Sequence, residues 1–239
     1  MRNADVKAEL VIIIPAYNEE HNIVDVIREC RKNYADILVI DDGSTDATRE
    51  RALDAGAKVM SLVHNLGIGG AMQCGYMYAK NHGYKYAVQV DADGQHNPED
   101  IGKLLASIKK NDSLGLVIGS RFAGENGYKS TCARRIGIAI LAFILLATSG
   151  KRVIDVTSGF RIASREAISI FAAHYPYDYP ETESIAMLLR KGIAIEEIPI
   201  AMNERQSGRS SIRFGKTIYY MTKVSLGLIL NWSRKTVGQ

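Results

Sequence analysis

Cysteine is scarce in this sequence, and what there is lies scattered. Cys30, Cys74 and Cys132 form no CxxC pair, so neither a disulfide framework nor a zinc site is indicated. The first nine residues are polar and charged and lack the apolar core of a signal peptide. We therefore expect a protein of the reducing cytoplasm.

Apolar runs of transmembrane length are also missing. The longest, Ile136 to Thr148, is shorter than the roughly 18–20 residues that a spanning helix needs. Basic residues flank this run on both sides: Arg134, Arg135, Lys151 and Arg152. Two interpretations stay open, a helix of the protein core or a helix lying on a membrane surface near anionic headgroups.

A strong excess of one charge is absent as well. The 30 Lys and Arg residues nearly balance the 26 Asp and Glu residues, which leaves a net charge of +4. That excess is too small to indicate nucleic-acid binding. The 239 residues, 46% of them hydrophobic, can bury a sizeable core. Because no repeat or linker interrupts the chain, we expect one domain over residues 1–239.

Short apolar segments alternate with helix-forming segments, which predicts an α/β fold with a mostly parallel sheet. The predicted strands are Leu10–Pro15, Ile37–Ile40, Val59–Val63, Tyr86–Val90 and Gly115–Gly119, with a later one at Ala194–Ile200. The expected helix caps are Asn18, Asp46, Asn97 and Ser164. Further helices are expected at Glu183–Lys191 and Phe214–Trp232.

Two carboxylates, Asp91 and Asp93, come directly after the fourth predicted strand. If the strand geometry continues, alternation points both to the same side. Open α/β sheets bind ligands beyond the carboxyl ends of their strands. Neighbouring carboxylates repel each other, and Mg²⁺ or Mn²⁺ would remove that repulsion. The alternative is a solvated Asp-Gly turn.

Other strand ends carry weaker signals. Asp42 follows the second strand and belongs either to a turn or to a site for a base or ribose. The glycine-rich loop that begins at Gly67 allows close approach of a nucleotide, or is simply a tight loop. It lacks the third glycine of a dinucleotide-binding motif, because Met72 stands there.

The second half of the chain offers three further candidates. Asp155, beside Thr157, is a helix or turn cap or a functional carboxylate. The Arg205 and Arg209 segment is a solvated loop or a clamp for an oxyanion, since guanidinium groups match phosphate. His96 is expected to be a hydrogen-bonded loop histidine, and we leave it out of the metal ligands.

Taken in order, several motifs resemble the inverting family-2 glycosyltransferases of GT-A fold. They are Pro15-Ala16-Tyr17-Asn18-Glu19, Asp41-Asp42-Gly43-Ser44-Thr45-Asp46, Asn65-Leu66-Gly67, Asp91-Ala92-Asp93-Gly94-Gln95 and Gly119-Ser120-Arg121. Asp155 with Ser158-Gly159-Phe160-Arg161, and Arg205 with residues 208–211, resemble the dolichol- and polyprenol-phosphate sugar synthase branch. The resemblance runs from about Leu10 to Val224.

The resemblance implies a nucleotide-sugar-binding half, residues 1–122, and an acceptor-side half, residues 123–239. The residues that would hold the nucleotide-sugar are Pro15, Ala16, Tyr17, Glu19, Asp42, Gly69, Asp91, Ala92 and Arg209. Asp93 and Gln95 would hold Mg²⁺ or Mn²⁺. Arg121 would lie near the donor or acceptor phosphates, and Arg205 with the loop that follows it would close over the site. If the acceptor is a hydroxyl group, a base is needed, and Asp155 is the first choice with Glu181 second.

The expected reaction is transfer of a sugar from a nucleotide-sugar donor. A polyprenyl phosphate acceptor, already ionised, would need no base, whereas a saccharide hydroxyl acceptor would need one. The lipid acceptor implies peripheral contact with the inner face of the membrane. A non-catalytic nucleotide-sugar sensor is a third hypothesis. A homodimer is compatible with the sequence, which does not fix the oligomeric state.

Overall fold

The computed structural model describes residues 9–123, 132–177, 179–202 and 225–226. Its strands are β1 (Leu10–Ala16), β2 (Ile37–Asp41), β3 (Lys58–Ser61), β4 (Tyr86–Gln89), β5 (Leu114–Ser120), β6 (Arg161–Ser164) and β7 (Ala194–Pro199). They form one sheet in the order β3-β2-β1-β4-β6-β5-β7. Neighbouring strands are parallel except at β6, which runs antiparallel to β4 and β5. The mostly parallel α/β fold is therefore confirmed.

Helices cover both faces of the sheet. They are α1 (Ile23–Arg31), α2 (Thr48–Asp54), α3 (Gly67–Asn81), α4 (Ile101–Lys110), α5 (Cys132–Ser149), α6 (Arg165–Ala173) and α7 (Pro180–Arg190). In β1, Val11 and Ile13 join one apolar cluster while Ile12 and Ile14 join the other. Since both faces of this strand are buried, its sequence is a continuous apolar run.

Three of the four expected caps accept a backbone hydrogen bond near the start of a helix. Ser164 accepts a hydrogen bond from the N–H of Ala167 in α6, as predicted. Asn97 accepts from the N–H of Glu99 at 3.1 Å, where a 3₁₀ turn leads into α4. Asp46 accepts from the N–H of Thr48, the first residue of α2, at 3.0 Å.

Asn18 is not a helix cap, and that prediction was wrong. Helix α1 begins at Ile23, and Asn18 adopts a φ of +55°. Its N–H donates to Oγ of Ser44 at 3.0 Å, and its Oδ1 accepts from the N–H of Thr45 at 2.9 Å. Asn tolerates this left-handed conformation, so it joins the loop after β1 to the loop after β2 instead.

Strand β6 was not predicted, and it has a large effect on the topology. Because β6 is antiparallel, its first residue lies at the edge where β4 and β5 end. Arg161 pairs there with Gln89 and with Ile118. The chain just before β6, residues 155–160, is thereby brought to the same edge.

The strand order contains a switch point beside β1. From β1 the chain moves outward to β2 and β3, then returns to add β4 on the other side of β1. Such a reversal opens a crevice between the carboxyl ends of the two diverging strands. The loops after β1, β2 and β4 therefore surround one crevice.

Candidate active site

The acidic turn after β4 lies at this crevice. Strand β4 ends at Gln89, so the strand geometry does not continue to Asp93 and the condition on which alternation would point both aspartates to one side is not met. Gly94, with a φ of +74°, turns the chain. Oδ1 of Asp91 accepts from Nε2 of Gln89 at 3.0 Å, and Oδ1 of Asp93 accepts from the N–H of Gln95 at 3.1 Å.

His96 fixes the shape of this turn. Its Nδ1 accepts the N–H of Asp91 at 3.0 Å, so the ring proton is on Nε2, 3.5 Å from Oδ2 of Asp91. The ring is buried and packs on Phe160, with centroids 4.8 Å apart. His96 is thus a hydrogen-bonded loop histidine, as expected.

Gly159 packs closely against Asp91. A Cβ added to Gly159 would lie 3.1 Å from both carboxylate oxygens of Asp91 and 2.9 Å from Nε2 of Gln89. These separations are too short for an ordinary carbon contact. Glycine at this position therefore lets the chain before β6 approach the acidic turn closely.

Arg121 and Asp155 form a buried ion pair, and Asp155 belongs to the same loop as Gly159. Nε and Nη2 of Arg121 donate to the two carboxylate oxygens of Asp155, each at 2.7 Å, and the N–H of Arg121 adds a third bond at 3.0 Å. Nη2 also donates to Oγ1 of Thr157 at 2.8 Å. Asp155 is 0% exposed. Both of its oxygens are therefore committed to Arg121, in a position closed to solvent.

Glu181 stands in the first turn of α7, which begins three residues before the predicted start. Desolvation raises the pKa of its carboxyl, and the nearby Arg161 charge partly opposes that rise. The charges of Asp91 and Arg121 also act on Glu181. Three of the candidates thus occupy one electrostatic neighbourhood.

Arg161 connects the chain segments around these side chains. It is fully buried at the start of β6. Its Nε donates to the carbonyl of Ser158 at 3.0 Å, and its Nη1 donates to the carbonyl of Glu181 at 3.1 Å and to Oγ of Ser184 at 3.0 Å. It therefore ties the start of α7 to the loop that carries Gly159. The sequence pattern did not single out this role.

Asp42 is engaged by the glycine-rich loop. Its two carboxylate oxygens accept from the N–H groups of Leu66 and Gly67 at 2.7 and 2.8 Å. Burial raises the pKa of Asp42, and these two hydrogen bonds partly offset the rise. Asp42 thus fixes the start of α3.

Gly69 packs closely against the backbone of residues 176–177. A Cβ there would lie 2.2 Å from the carbonyl oxygen of Tyr177 and 2.3 Å from that of Pro176. Packing of α3 against residues 176–177 is sufficient to require glycine. The contact of Gly69 with a nucleotide stays a prediction.

The remaining donor-side candidates lie around β1 and the acidic turn. Tyr17 is exposed, whereas Ala16 and Ala92 are buried among apolar side chains. Pro15 pairs with Ile40 at the end of β1. The backbone of Glu19 donates to Oγ1 of Thr48 at 2.8 Å.

A family model assigns these features to a known group of enzymes. The model described as glycosyl transferase family 2 matches residues 11–171, which is more than half of the chain and includes the acidic turn and the Arg121–Asp155 pair. The chain belongs to this family. It is a glycosyltransferase.

Two relatives of the glycosyltransferase carry informative names. The UDP-N-acetylglucosamine–dolichyl-phosphate N-acetylglucosaminyltransferase of Methanococcus voltae is 32% identical, over 93% of this chain and 98% of that protein. The polyprenol monophosphomannose synthase of Mycolicibacterium smegmatis is 29% identical, over 90% of this chain and 85% of that protein. These names support the polyprenol-phosphate sugar synthase branch.

A solved structure agrees on the fold. Glucosyl-3-phosphoglycerate synthase from Mycobacterium tuberculosis, in complex with Mn²⁺, UDP and glucosyl-3-phosphoglycerate, superposes with a TM-score of 0.71. The match covers 96% of this chain and 82% of that one, at 20% identity. At that identity the likeness shows the GT-A fold alone.

The oxygen atoms in the acidic turn of the glycosyltransferase are suitable ligands for a hard divalent cation. Asp93 and Gln95 carry oxygen ligands, which Mg²⁺ and Mn²⁺ prefer. In the described part of the chain no three His, Cys, Asp or Glu side chains cluster as a metal site. A cation held by Asp93 and Gln95 would take its other ligands from phosphate and water.

One face of α5 is apolar yet exposed. Ile136, Ile140 and Phe143 are 61%, 47% and 69% exposed, at helical spacing, and Leu146 continues the same exposed surface. The opposite face packs against α7. Among the helices that the structure describes, none has the length and hydropathy to cross a bilayer.

Two predicted site residues, Arg205 and Arg209, lie outside the described residues, as does most of the predicted helix Phe214–Trp232. The described chain reaches Met202, which forms an isolated antiparallel bridge with His96.

Proposed function

We propose that this glycosyltransferase transfers a sugar, with inversion, from a nucleoside-diphosphate sugar to a polyprenyl phosphate at the cytoplasmic face of a membrane. One observation carries the proposal. The acidic turn after β4 meets the loop of the buried Arg121–Asp155 pair, through Gly159, at the switch point of a GT-A sheet. Elements that would bind the donor and the acceptor would thereby meet at one crevice.

The donor would bind along the loops after β1, β2 and β4. Tyr17, Glu19 and Asp42 would contact the nucleoside, and Asp91 the sugar. Asp93 and Gln95 would hold Mg²⁺ or Mn²⁺ beside the diphosphate. When bound, such a cation neutralises charge on the leaving diphosphate. The Mn²⁺ and UDP in the crystal of glucosyl-3-phosphoglycerate synthase support this choice of ligands.

The state of Asp155 favours an acceptor that needs no base. A general base must reach the proton that it removes, but both oxygens of Asp155 already accept hydrogen bonds from Arg121. A phosphate acceptor is ionised at neutral pH and makes a base unnecessary. We therefore assign Asp155 to holding Arg121, and Arg121 to balancing phosphate charge.

The chemical step is a single displacement. An oxygen of the acceptor phosphate forms a bond to the anomeric carbon of the sugar, on the side opposite the diphosphate. The bond between that carbon and the diphosphate oxygen breaks, and its electron pair leaves with the nucleoside diphosphate. Arg121 and Arg205 would stabilise the phosphate charges on the two sides of this reaction.

The exposed face of α5 suits contact with lipid. Its large apolar side chains would enter the headgroup boundary, as interfacial helices do. Exposed basic residues lie near both ends of this helix, namely Arg135, Lys151 and Arg152, and match anionic headgroups. A polyprenyl chain would then remain in the bilayer while its phosphate reaches the crevice.

A second acceptor class is favoured by one observation. Burial raises the pKa of Glu181, and a raised carboxyl pKa suits proton transfer near neutral pH. With a saccharide hydroxyl as acceptor, Glu181 rather than Asp155 would serve as the base.

A transfer assay separates these cases. Radiolabelled UDP- and GDP-sugars are incubated with Mn²⁺ and the protein, with polyprenyl phosphate in anionic vesicles or with soluble saccharides as acceptor. We expect label to enter the organic phase with polyprenyl phosphate. Label in the saccharide alone would select the hydroxyl acceptor, and donor binding without transfer or donor hydrolysis would contradict both proposals.

A further inference from the structure

Glu197 holds the loop that presents Asp155. It lies on β7, which pairs with β5 at the edge of the sheet. Its Oε2 accepts from the N–H of Ile154 at 2.7 Å, and its Oε1 accepts from the N–H of Asp155 at 2.7 Å. One carboxylate thus binds two consecutive peptide groups of an irregular segment, in short, charge-assisted bonds.

Asp155 links this contact to Arg121. The peptide that Glu197 fixes is that of Asp155, whose side chain holds the guanidinium of Arg121 at two points. Glu197 thus contacts the backbone of Asp155, and the side chain of Asp155 contacts Arg121. A displaced peptide at 155 would move the carboxylate and, with it, the guanidinium fork.

We infer that Glu197 is a positioning residue, which sets the orientation of Arg121 by fixing the backbone of Asp155. The inference rests on the proposed function, in which Arg121 balances phosphate charge. Small displacements of such a group lower the rate strongly, because the charge must be in place before the reaction.

The neighbouring glutamate provides a matched control. Glu196 points to the other face of β7, as strand alternation requires, and accepts from Oγ of Ser107 on α4 at 2.9 Å. Glu196→Gln makes the same chemical change one residue away, without touching the loop of Asp155.

The first test measures transfer. Glu197→Gln places an amide NH₂ against a peptide N–H, so one of the two bonds is lost. We expect turnover to fall about tenfold with the KM for the donor unchanged, while Glu196→Gln keeps the wild-type rate. In an Arg121→Lys background the added Glu197→Gln should cost far less than tenfold, since coupled residues are not additive. Wild-type turnover in Glu197→Gln, or fully multiplicative effects, would overturn the inference.

A second test does not depend on transfer. In protein labelled with ¹⁵N-arginine, the Nε–H of Arg121 should give a resonance protected from exchange with solvent. We expect that protection to drop in Glu197→Gln and to persist in Glu196→Gln. Unchanged protection in Glu197→Gln would refute the inference, whether or not the proposed reaction is correct. If the wild type shows no transfer but Glu197→Gln still loses the protection, the result counts against the proposed function alone.

Discussion

Replacing Asp155 by asparagine should distinguish a structural ion pair from a catalytic base. The carboxylate accepts three hydrogen bonds from Arg121, two of them at 2.7 Å, and both side chains are buried. Asparagine keeps the shape but removes the charge and turns an NH₂ group toward the guanidinium. Arg121 would then be a buried cation that has lost the carboxylate facing it.

The size of the loss follows from that geometry. Removing one partner of a buried pair costs about 3–5 kcal/mol. At the lower figure, a chain of this length should lose about 6–12 °C in melting temperature. A free carboxylate acting only as a base would leave the melting temperature nearly unchanged while activity disappeared.

Thermal unfolding followed by circular dichroism measures this loss, with Asp25→Asn as control. Asp25 pairs with Arg28 at 3.8 Å on the surface, where such pairs contribute at most about 1 kcal/mol. We expect Asp155→Asn to melt well below Asp25→Asn. If the two variants melted together, the positioning role that we assign to Asp155 would be refuted.

Three further predictions concern glycines and one carboxyl group. Gly159→Ala should displace Asp91 and lower transfer at least tenfold, and unchanged transfer would show that the close approach is dispensable. Gly69→Ala should destabilise the fold by about 1–3 kcal/mol, because its Cβ meets backbone, whereas Gly102→Ala in α4, whose nearest neighbour is 3.8 Å away, should be neutral or stabilising in urea unfolding. Because the pKa of Glu181 is raised from 4.5, its ionisation opposes folding, so wild-type stability relative to Glu181→Gln should fall as the pH rises above 4.5. Melting curves at about pH 4 and pH 7.5 check this, and a constant difference would contradict it.

The parallel strands could be predicted because burial on both faces leaves a visible pattern. The runs at β1 and β2 are wholly apolar and correspond to central strands. Polar residues after parallel strands meet at one edge whatever the loop conformations, which is why Asp42 and Asp91 could be placed at this edge of the sheet from the sequence.

What could not be predicted depends on contacts between distant residues. Strand β6 begins with Arg161, and nothing in four residues signals that its charge is buried. Arg121 and Asp155 are 34 residues apart, so their pairing appears only once β6 enters the sheet. Glu197 likewise looks like a solvent-facing glutamate beside Glu196 until the loop before β6 is folded against it.

The acidic turn itself was predicted for a reason that the structure does not support. The two aspartates were expected to share a face if the strand geometry continued beyond Val90, but β4 ends at Gln89. The hydrogen bond that the N–H of Asp91 donates to His96, the one that the N–H of Gln95 donates to Asp93, and the conformation of Gly94 fix the turn instead. Their effect on side-chain direction depends on backbone angles that residue types do not specify.

Electron paramagnetic resonance of Mn²⁺ tests the central claim most directly. Mn²⁺ is titrated into the protein with and without a nucleoside diphosphate, and the free-ion signal is followed. We predict that the nucleotide strengthens Mn²⁺ binding to the wild type and to Asp112→Asn, an exposed site away from the crevice, and that Asp93→Ala loses this effect. Equal, nucleotide-dependent binding in Asp93→Ala, or no such binding by the wild type, would contradict a metal site for the donor diphosphate at this turn.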